Sequence, residues 1–234
     1  MSKILRKSWE PGQHFSVVAP TGYGKSLLIV RGLLPRFTHT VTLDVKGDDP
    51  ELARAGQRVP RFPTRLDIAK AELSDRNPHY RFRVHPGGLG TSAKAAFDDV
   101  FRKAWAQGST RRAKGSWLIN IDEARIMADH LGMEKHLTTG WVLGRSKGIT
   151  MLAGTQAPRY VPSEFYDQVS WLAIGRFRDE RTLKRLSEIG GTVGDNTDIR
   201  EILPNLERSK TRREFLILGP DDFTAITSWE PSGR

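Results

Sequence analysis

The sequence predicts an α/β domain with three layers, in which helices cover a mostly parallel sheet and antiparallel strands are added at one edge. Three observations predict this class. Short apolar runs alternate with segments of helical spacing, a glycine-rich loop follows the first apolar run, and the last two apolar runs flank the turn Gly219-Pro-Asp-Asp222. With 234 residues, the chain is long enough to bury one sizeable core, so we expect a single domain over 1–234.

Eight short segments are predicted to be strands because they are apolar, or alternate between apolar and polar residues, and end at turn-forming residues. Residues 80–84, Tyr-Arg-Phe-Arg-Val, alternate in this way and predict a half-buried edge strand. The last two segments predict a terminal hairpin within residues 212–230. In chain order the strands are predicted at 15–19, 40–44, 80–84, 117–121, 149–154, 171–175, 214–218 and 223–227.

Helices are predicted between these strands, where apolar residues recur at helical spacing. From Ala93 to Ala106 the apolar residues share one face, which predicts that this face packs on the sheet as core. Residues 1–13 form a short lead, and residues 51–79, rich in Arg and Pro, are given no role. The other helices are predicted at 25–31, within 133–147, and at 180–189.

The composition limits the classes of partner and site. Lys and Arg number 37 against 27 Asp and Glu, and this net charge of +10 predicts an anionic partner, with nucleic acid the first candidate. A basic surface that serves only solubility is the alternative. The absence of cysteine excludes disulfides and thiolate metal sites. No window reaches the roughly 18 apolar residues of a membrane span, and the first residues do not form a signal peptide, so we expect a cytoplasmic protein without a membrane segment.

Residues 19–26 read Ala-Pro-Thr-Gly-Tyr-Gly-Lys-Ser, a Walker A pattern set between an apolar run and a helix. Its glycines let consecutive backbone N–H groups close around a β-phosphate. Lys25 would reach the β- and γ-phosphates, and the Ser26 hydroxyl would ligate Mg²⁺. Ala19 replaces the usual first glycine, a mild departure because a methyl group is small. The sequence therefore predicts ATP and Mg²⁺ as ligands, with the nucleotide held by Thr21, Gly22, Tyr23, Gly24, Lys25, Ser26 and Leu27.

Two acids follow the predicted strand 117–121, where a nucleotide hydrolase needs a metal-side carboxylate and a base for the attacking water. Asp122 is predicted to share the Mg²⁺ with Ser26, and Glu123 to act as the general base. An Asp-Glu pair after a strand is by itself often a helix N-cap and first-turn acid, and its combination with the Walker A loop favours the catalytic assignment. Gln156 ends the next strand, where its amide would contact the γ-phosphate or the lytic water; ordinary loop polarity is the alternative.

A transferring phosphoryl group also needs positive charge, commonly an arginine from an adjacent subunit. Arg145, just before strand 149–154, is the first candidate, and a solvated or DNA-facing role is the alternative in a chain this basic. The reserve candidates are Arg176, Arg178 and Arg181. A separate basic cluster is a candidate DNA contact, or equally an exposed helix end and loop: Arg102, Lys103, Arg111, Arg112 and Lys114.

The combined motifs resemble the FtsK/HerA superfamily of DNA-translocating ATPases, which includes type IV coupling proteins and phage packaging ATPases. The resemblance covers residues 14–190, and its most specific part is Gly144-Arg-Ser-Lys-Gly-Ile-Thr-Met-Leu-Ala-Gly-Thr-Gln-Ala-Pro158, which looks like that family's arginine, strand and glutamine. Leu43-Asp-Val-Lys-Gly47 and the region of Glu180-Arg-Thr-Leu183 are similar to two further motifs of the family. The resemblance implies a RecA-like core, Arg145 acting on the neighbouring subunit, and a hexameric ring around duplex DNA.

We therefore expect an ATP-driven double-stranded DNA translocase, in the host cytoplasm or virion-associated. Because we expect no membrane anchor, long N-terminal domain or DNA-reading module, the sequence favours a bare viral genome-packaging ATPase with a docking protein at a capsid vertex or a membrane. A plasmid-transfer or defence-related DNA translocase is one alternative. A protein-acting assembly or secretion ATPase is another, although such proteins usually carry a membrane segment. The complete catalytic set argues against a regulatory nucleotide-binding module without turnover.

Overall fold

A central sheet of nine strands organises the residues that the computed structural model describes, namely 9–65, 67, 81–87, 90–108, 117–193 and 197–229. Two more short strands pair only with each other. In chain order the strands are β1 (Phe15–Val18), β2 (His39–Leu43), β3 (Gln57–Val59), β4 (Arg81–Val84), β5 (Trp117–Ile121), β6 (Ile149–Thr155), β7 (Trp171–Ile174), the separate pair β8 (Thr192–Val193) and β9 (Thr197–Asp198), β10 (Arg213–Leu218) and β11 (Thr224–Trp229).

The sheet is parallel except at one edge. Its order is β11-β10-β7-β1-β6-β5-β2-β4-β3, so that β1 lies inside the sheet between β6 and β7. All neighbours from β7 to β3 run parallel. β10 is antiparallel to β7 and β11 is antiparallel to β10, which places the hairpin at one edge. The predicted mostly parallel sheet with antiparallel additions at one edge is confirmed.

The prediction that residues 80–84 form an edge strand is wrong. β4 lies between β2 and β3, and Tyr80 falls outside the described residues. The charged positions of β4 misled the prediction because Arg83 pairs with the fully buried Asp44, at 2.9 Å between Nη1 and Oδ2, rather than with water. The covering strand β3 belongs to the segment that had no predicted role. It has three residues, two of them exposed, and therefore carries no apolar period.

Helices cover both faces of the sheet and complete the three layers. Ala93, Phe97 and Val100 of the predicted apolar stripe are fully buried in the core on one face, which confirms that stripe. The helix after the Walker A loop covers the other face, through Leu28 and Leu33. The helices are α1 (Lys25–Leu27), which continues as a π-helical segment (Leu28–Leu33) and a 3-10 turn (Leu34–Arg36), α2 (Thr91–Gly108), α3 (Glu134–Leu143), α4 (Glu164–Asp167), α5 (Glu180–Gly190) and α6 (Ile199–Ile202). A π-helical segment covers Ile126–His130, and 3-10 turns cover Leu52–Arg54, Arg145–Lys147 and Leu203–Asn205.

The parallel strands bring the predicted catalytic residues to one edge of the sheet. The carboxyl ends of β1, β5 and β6 meet at the same edge, and these ends lead into the Walker A loop, Asp122 and Gln156. Arg145 precedes β6 and therefore lies toward the amino ends of the parallel strands, on the opposite side of the sheet from the Walker A loop. No helix in the described ranges combines the length and the apolar character needed to cross a bilayer.

Candidate nucleotide-binding site

The loop between β1 and α1 takes a backbone conformation that glycine allows. Gly22 and Gly24 have φ angles of 68° and 101°, in the left-handed region that other residues rarely adopt. The Ala19 amide donates to the Thr155 carbonyl at 3.1 Å, which ties the start of the loop to the end of β6. Ala19 is fully buried, and its methyl group packs beside Gly175. A Cβ at position 175 would lie only 3.0 Å from that methyl group, so the methyl group fits because residue 175 has no side chain. Gly175 thus accommodates the departure from the usual first glycine.

Tyr23 points away from the nucleotide side of this loop. Its side chain is fully buried, and its ring meets Phe215 of β10 edge to face at 5.1 Å between centroids. The phenol oxygen is within hydrogen-bonding distance of the carbonyls of Glu214 and Glu207, at 3.2 Å from the latter. Burial raises the pKa of the Tyr23 phenol, so it remains a hydrogen-bond donor. The side chain of Tyr23, predicted within the nucleotide-binding set, therefore anchors the loop to the C-terminal hairpin.

A cleft of about 510 Å³ lies beside the loop at the carboxyl edge of the sheet. Apart from Tyr23, every residue predicted to bind nucleotide lines it: Thr21, Gly22, Gly24, Lys25, Ser26 and Leu27. Asp122 and Gln156 line it as well, which brings the separate strand-end motifs to one place. The remaining lining residues come from the segment after β2 and from the start of β10: Lys46, Asp48, Asp49, Glu51 and Arg213, together with Pro20 of the loop itself.

Lys25 is held at the floor of the cleft by Asp122. Its Nζ lies 3.0 Å from Asp122 Oδ1 and also donates to the Asp122 carbonyl, and both residues are buried. The lysine stem crosses β6 at Gly154, where a Cβ would lie 2.7 Å from Lys25 Cδ. Glycine is therefore required at 154 for this lysine position.

Glu123 is oriented by the end of β6. Its Oε1 accepts hydrogen bonds from the Thr155 hydroxyl at 2.9 Å and from the backbone N–H of Gln156 at 3.2 Å. Its Oε2 lies 3.6 Å from Lys46 Nζ, and the Gln156 side-chain oxygen accepts from the Thr21 hydroxyl at 2.6 Å. Glu123, Gln156 and the phosphate loop thus form one connected set. Thr155 and Lys46 are the members that had no predicted role.

The carboxylates of the cleft fit a hard cation in part. Asp122 Oδ2 and Glu123 Oε2 are buried and have no hydrogen-bond partner among the described residues. Carboxylate oxygens of this kind suit Mg²⁺ and its water shell. In the described ranges, no three acidic or histidine side chains converge into a cage that could hold a metal ion by themselves. Mg²⁺ would therefore depend on the phosphate oxygens of a nucleotide, with Ser26 and Asp122 on the protein side.

The predicted finger arginine lies far from the cleft of its own chain. Arg145 is exposed in the 3-10 turn before β6, and its Cγ packs 3.2 Å from the position of a Cβ on Gly12. The reserves Arg176, Arg178 and Arg181 follow β7, and they too do not line the cleft. If Arg145 contacts a nucleotide, that nucleotide must be bound by another subunit.

Two members of the predicted DNA cluster lie on α2. Arg102 and Lys103 are exposed, but both pair with acids of the same helix: Arg102 with Asp98 and Asp99, and Lys103 with Asp99 at 2.9 Å. These pairs offset part of the positive charge that the prediction relied on. Arg111, Arg112 and Lys114 lie outside the described residues.

Comparison with known proteins gives matches at the level of structure. No family model and no curated protein sequence matches the chain. Among solved structures, the DNA-packaging ATPase B204 from Sulfolobus turreted icosahedral virus is similar, with a TM-score of 0.67 and 16% identity over 96% of this chain and 100% of that one. This chain has the same P-loop ATPase fold as that protein. The predicted RecA-like core is thereby confirmed as a fold.

Two further solved structures show the range of proteins with this fold. One is the pCW3 conjugation coupling protein TcpA, a monomer form with ATPγS, at TM-score 0.61 and 18% identity over 97% of this chain and 62% of that one. The other is Thermomonospora curvata EccC, ATPases 2 and 3 in complex with a signal sequence peptide, at TM-score 0.54 and 13% identity over 93% of this chain and 38% of that one. The fold therefore serves DNA packaging, conjugation and a peptide-binding ATPase.

Sequence reasoning missed two cations of the cleft. Lys46 lies in Asp44-Val-Lys-Gly47, a motif that resembles one in the family but predicts no role for its lysine. Arg213 has no local signal, because it is one of many arginines and its place in the cleft depends on how β10 packs beside β7.

Proposed function

We propose that this chain is a Mg²⁺-dependent ATP hydrolase of the FtsK/HerA superfamily that moves double-stranded DNA, and that it serves as a viral genome-packaging ATPase. The observation that carries the proposal is the convergence in one cleft of Lys25, Asp122 and Gln156, with Glu123 already oriented by hydrogen bonds. The likeness to a DNA-packaging ATPase over the full length of that protein supports it.

The proposed chemistry assigns a separate task to each residue. The loop amides and Lys25 bind the phosphates of ATP, while Ser26 and Asp122 would hold Mg²⁺, which neutralises charge on the phosphate oxygens. Glu123 takes the proton of the water that attacks the γ-phosphorus as the bond to ADP breaks. The hydrogen bonds to its Oε1 fix the carboxylate, and its Oε2 has no hydrogen-bond partner in the described part of the chain.

The position of Arg145 supports assembly into a ring. This exposed side chain lies toward the amino ends of the parallel strands, whereas the cleft of its own chain lies at their carboxyl ends. Arg145 can therefore stabilise a transferring phosphoryl group only in an adjacent subunit. Repeating that contact around a closed ring, which we propose to be a hexamer, completes every site. The net charge of +10 supports duplex DNA as the cargo. A docking protein at a capsid vertex or a membrane would then set where the motor acts.

A protein-acting secretion or assembly ATPase is the second candidate. It is supported by the similar fold of EccC, which was determined with a signal sequence peptide. The net positive charge of this chain favours nucleic acid over protein as the substrate that is moved. The same charge is equally consistent with a plasmid-transfer or defence-related DNA translocase.

The proposal is tested by the rate of ATP hydrolysis with and without long duplex DNA, at low and at moderate salt. We expect DNA to raise the rate, and the stimulation to weaken as salt rises, because contacts to phosphates are salt-dependent. The Glu123→Gln variant gives the background rate of the preparation. Hydrolysis that never responds to DNA would overturn the translocase and leave the protein-acting ATPase ahead. Absence of hydrolysis above the Glu123→Gln background would overturn the enzyme itself.

A further inference from the structure

The two flanks of the phosphate loop carry different chemistry. β1 lies between β6 and β7, so the loop that follows it has one flank toward each of these strands. Lys25 Nζ lies on the β6 flank, 3.0 Å from Asp122 Oδ1 and against Gly154. Glu123 and Gln156 are held on the same flank by the end of β6. The γ-phosphate and the attacking water therefore belong on the β6 flank of a bound nucleotide.

Arg213 occupies the other flank. It is the first residue of β10, the strand next to β7, and it lines the same cleft. Its Nη1 lies 3.1 Å from the position of a Cβ on Gly24, so the guanidinium rests directly against the phosphate loop. Its Nε is buried and has no hydrogen-bond partner within the described ranges. A guanidinium stays charged at any physiological pH, so buried donors of this kind call for an anionic partner.

Two acids close to Arg213 in β10 and in the segment before it, Glu214 and Glu207, are paired with the neighbouring Arg212. Arg212 Nη2 lies 3.0 Å from Glu214 Oε1, and Arg212 Nε lies 3.4 Å from Glu207 Oε2. The second oxygen of Glu214 accepts from the Glu207 amide at 2.9 Å. Arg212 is exposed, whereas Arg213 is turned into the cleft. In the part of the chain that the structure describes, no carboxylate pairs with Arg213, so its guanidinium lines the cleft without an ion-pair partner.

The base of Arg213 is rigidly tied to the phosphate loop. Tyr23, inside the loop, packs on Phe215 and reaches the carbonyl of Glu214, and both partners follow Arg213 in β10. These contacts fix the backbone beside Arg213 relative to the loop without involving the nucleotide. Fixing the backbone in advance reduces the conformational freedom that is lost when the side chain binds.

We propose, on the basis of the nucleotide site above, that Arg213 binds the phosphates that ATP and ADP share, within its own subunit. Arginine forms short, charge-assisted and often bidentate hydrogen bonds to phosphate. Because Arg213 lies away from the γ-phosphate side, its contribution is the same for the triphosphate and the diphosphate. It differs in this from Arg145, which is proposed to act on the γ-phosphate of a neighbouring subunit.

The test compares Arg213→Gln and Arg213→Lys with the control Arg185→Gln, which removes an arginine that pairs with Glu188 of α5 and does not line the cleft. Dissociation constants for ATP and ADP are measured with Mg²⁺ by calorimetry, together with KM and kcat for ATP hydrolysis. We expect Arg213→Gln to weaken both nucleotides equally, by about ten- to a hundredfold, which is the range for a hydrogen bond to a charged group. KM rises while kcat stays within about twofold, because the contact is the same in ground and transition states. Arg185→Gln leaves both dissociation constants unchanged.

Each other outcome is decisive. Unchanged affinity in Arg213→Gln overturns the proposal, and a loss confined to ATP overturns the placement on the shared phosphates. If Arg213→Gln does not fold, Arg213→Lys replaces it in the test, because lysine keeps the positive charge and a long aliphatic chain but lacks the bidentate guanidinium. We expect the affinities of Arg213→Lys for ATP and for ADP to fall several-fold. Unchanged affinities in Arg213→Lys would overturn the proposal. A wild-type protein that binds neither nucleotide would instead refute the nucleotide site on which this inference rests.

Discussion

Replacement of Gly154 by alanine is expected to disable nucleotide binding by displacing Lys25. A Cβ at position 154 would lie 2.7 Å from Lys25 Cδ, 2.8 Å from Lys25 Nζ and 2.9 Å from the Asp122 carbonyl oxygen. The lysine can move away from the methyl group only by giving up its contacts with Asp122. The carbonyl belongs to the backbone that carries Glu123, so it cannot yield without disturbing the base.

Two effects set the magnitude. Extra volume in a packed site costs about 1–3 kcal/mol of the free energy of unfolding. A displaced Lys25 also loses a charge-assisted contact to phosphate, which corresponds to an affinity for ATP about ten- to a hundredfold weaker. We therefore expect Gly154→Ala to fold with reduced stability and to bind ATP poorly.

The assay is urea denaturation together with titration of ATP. Gly90→Ala is the matched control, because a Cβ there meets no atom within 4 Å and the residue immediately precedes α2. Its free energy of unfolding should change by no more than about 1 kcal/mol, the typical cost of alanine at a helix N-cap, and its ATP affinity not at all. Wild-type affinity for ATP in Gly154→Ala would refute the reasoning, because Lys25 would then not depend on the space at position 154.

Three further predictions concern the buried His14, the hydroxyl of Thr155 and the exposed Arg145. Burial lowers the pKa of His14 from 6.5 to about 4, so the unfolded chain takes up the proton first and stability falls as pH drops through that window. Urea denaturation should show wild type losing about 2 kcal/mol more than His14→Gln between pH 7 and pH 5; equal losses would contradict this. Thr155→Val removes the hydroxyl that orients Glu123, so kcat should fall about tenfold with KM for ATP unchanged, and a wild-type kcat would count against the role of the hydroxyl. Arg145→Ala should bind ATP normally but lose about a thousandfold in turnover, and mixing it with Glu123→Gln protein should restore some activity; normal turnover would move the finger to a reserve arginine.

The parts of the site that the sequence predicts are those whose chemistry is local. Residues 19–26 carry the loop conformation in their own glycines, and Gly22 and Gly24 do take the left-handed conformation. Asp122 and Gln156 are predictable because each follows an apolar strand, and parallel strands bring their carboxyl ends to one edge. Their convergence in one cleft follows from that rule alone.

The parts that the sequence does not predict depend on tertiary packing. The direction of Tyr23 is set by the hairpin and by the space at Gly175, where a Cβ would lie 2.7 Å from the tyrosine ring. Arg213 resembles any other arginine until β10 packs beside β7. β3 is too short to show a period, and β4 looks like an edge strand because the acid that pairs with Arg83 lies far away in the chain.

The central claim is that ATP hydrolysis moves this protein along duplex DNA, and displacement of a third strand tests it most directly. A labelled oligonucleotide bound as a triplex at one end of a long duplex is released when a motor reaches it. We predict release by the wild-type protein with ATP and Mg²⁺, and no release by Glu123→Gln or with ADP. A protein that hydrolyses ATP in the presence of the duplex but leaves the triplex intact would contradict the account.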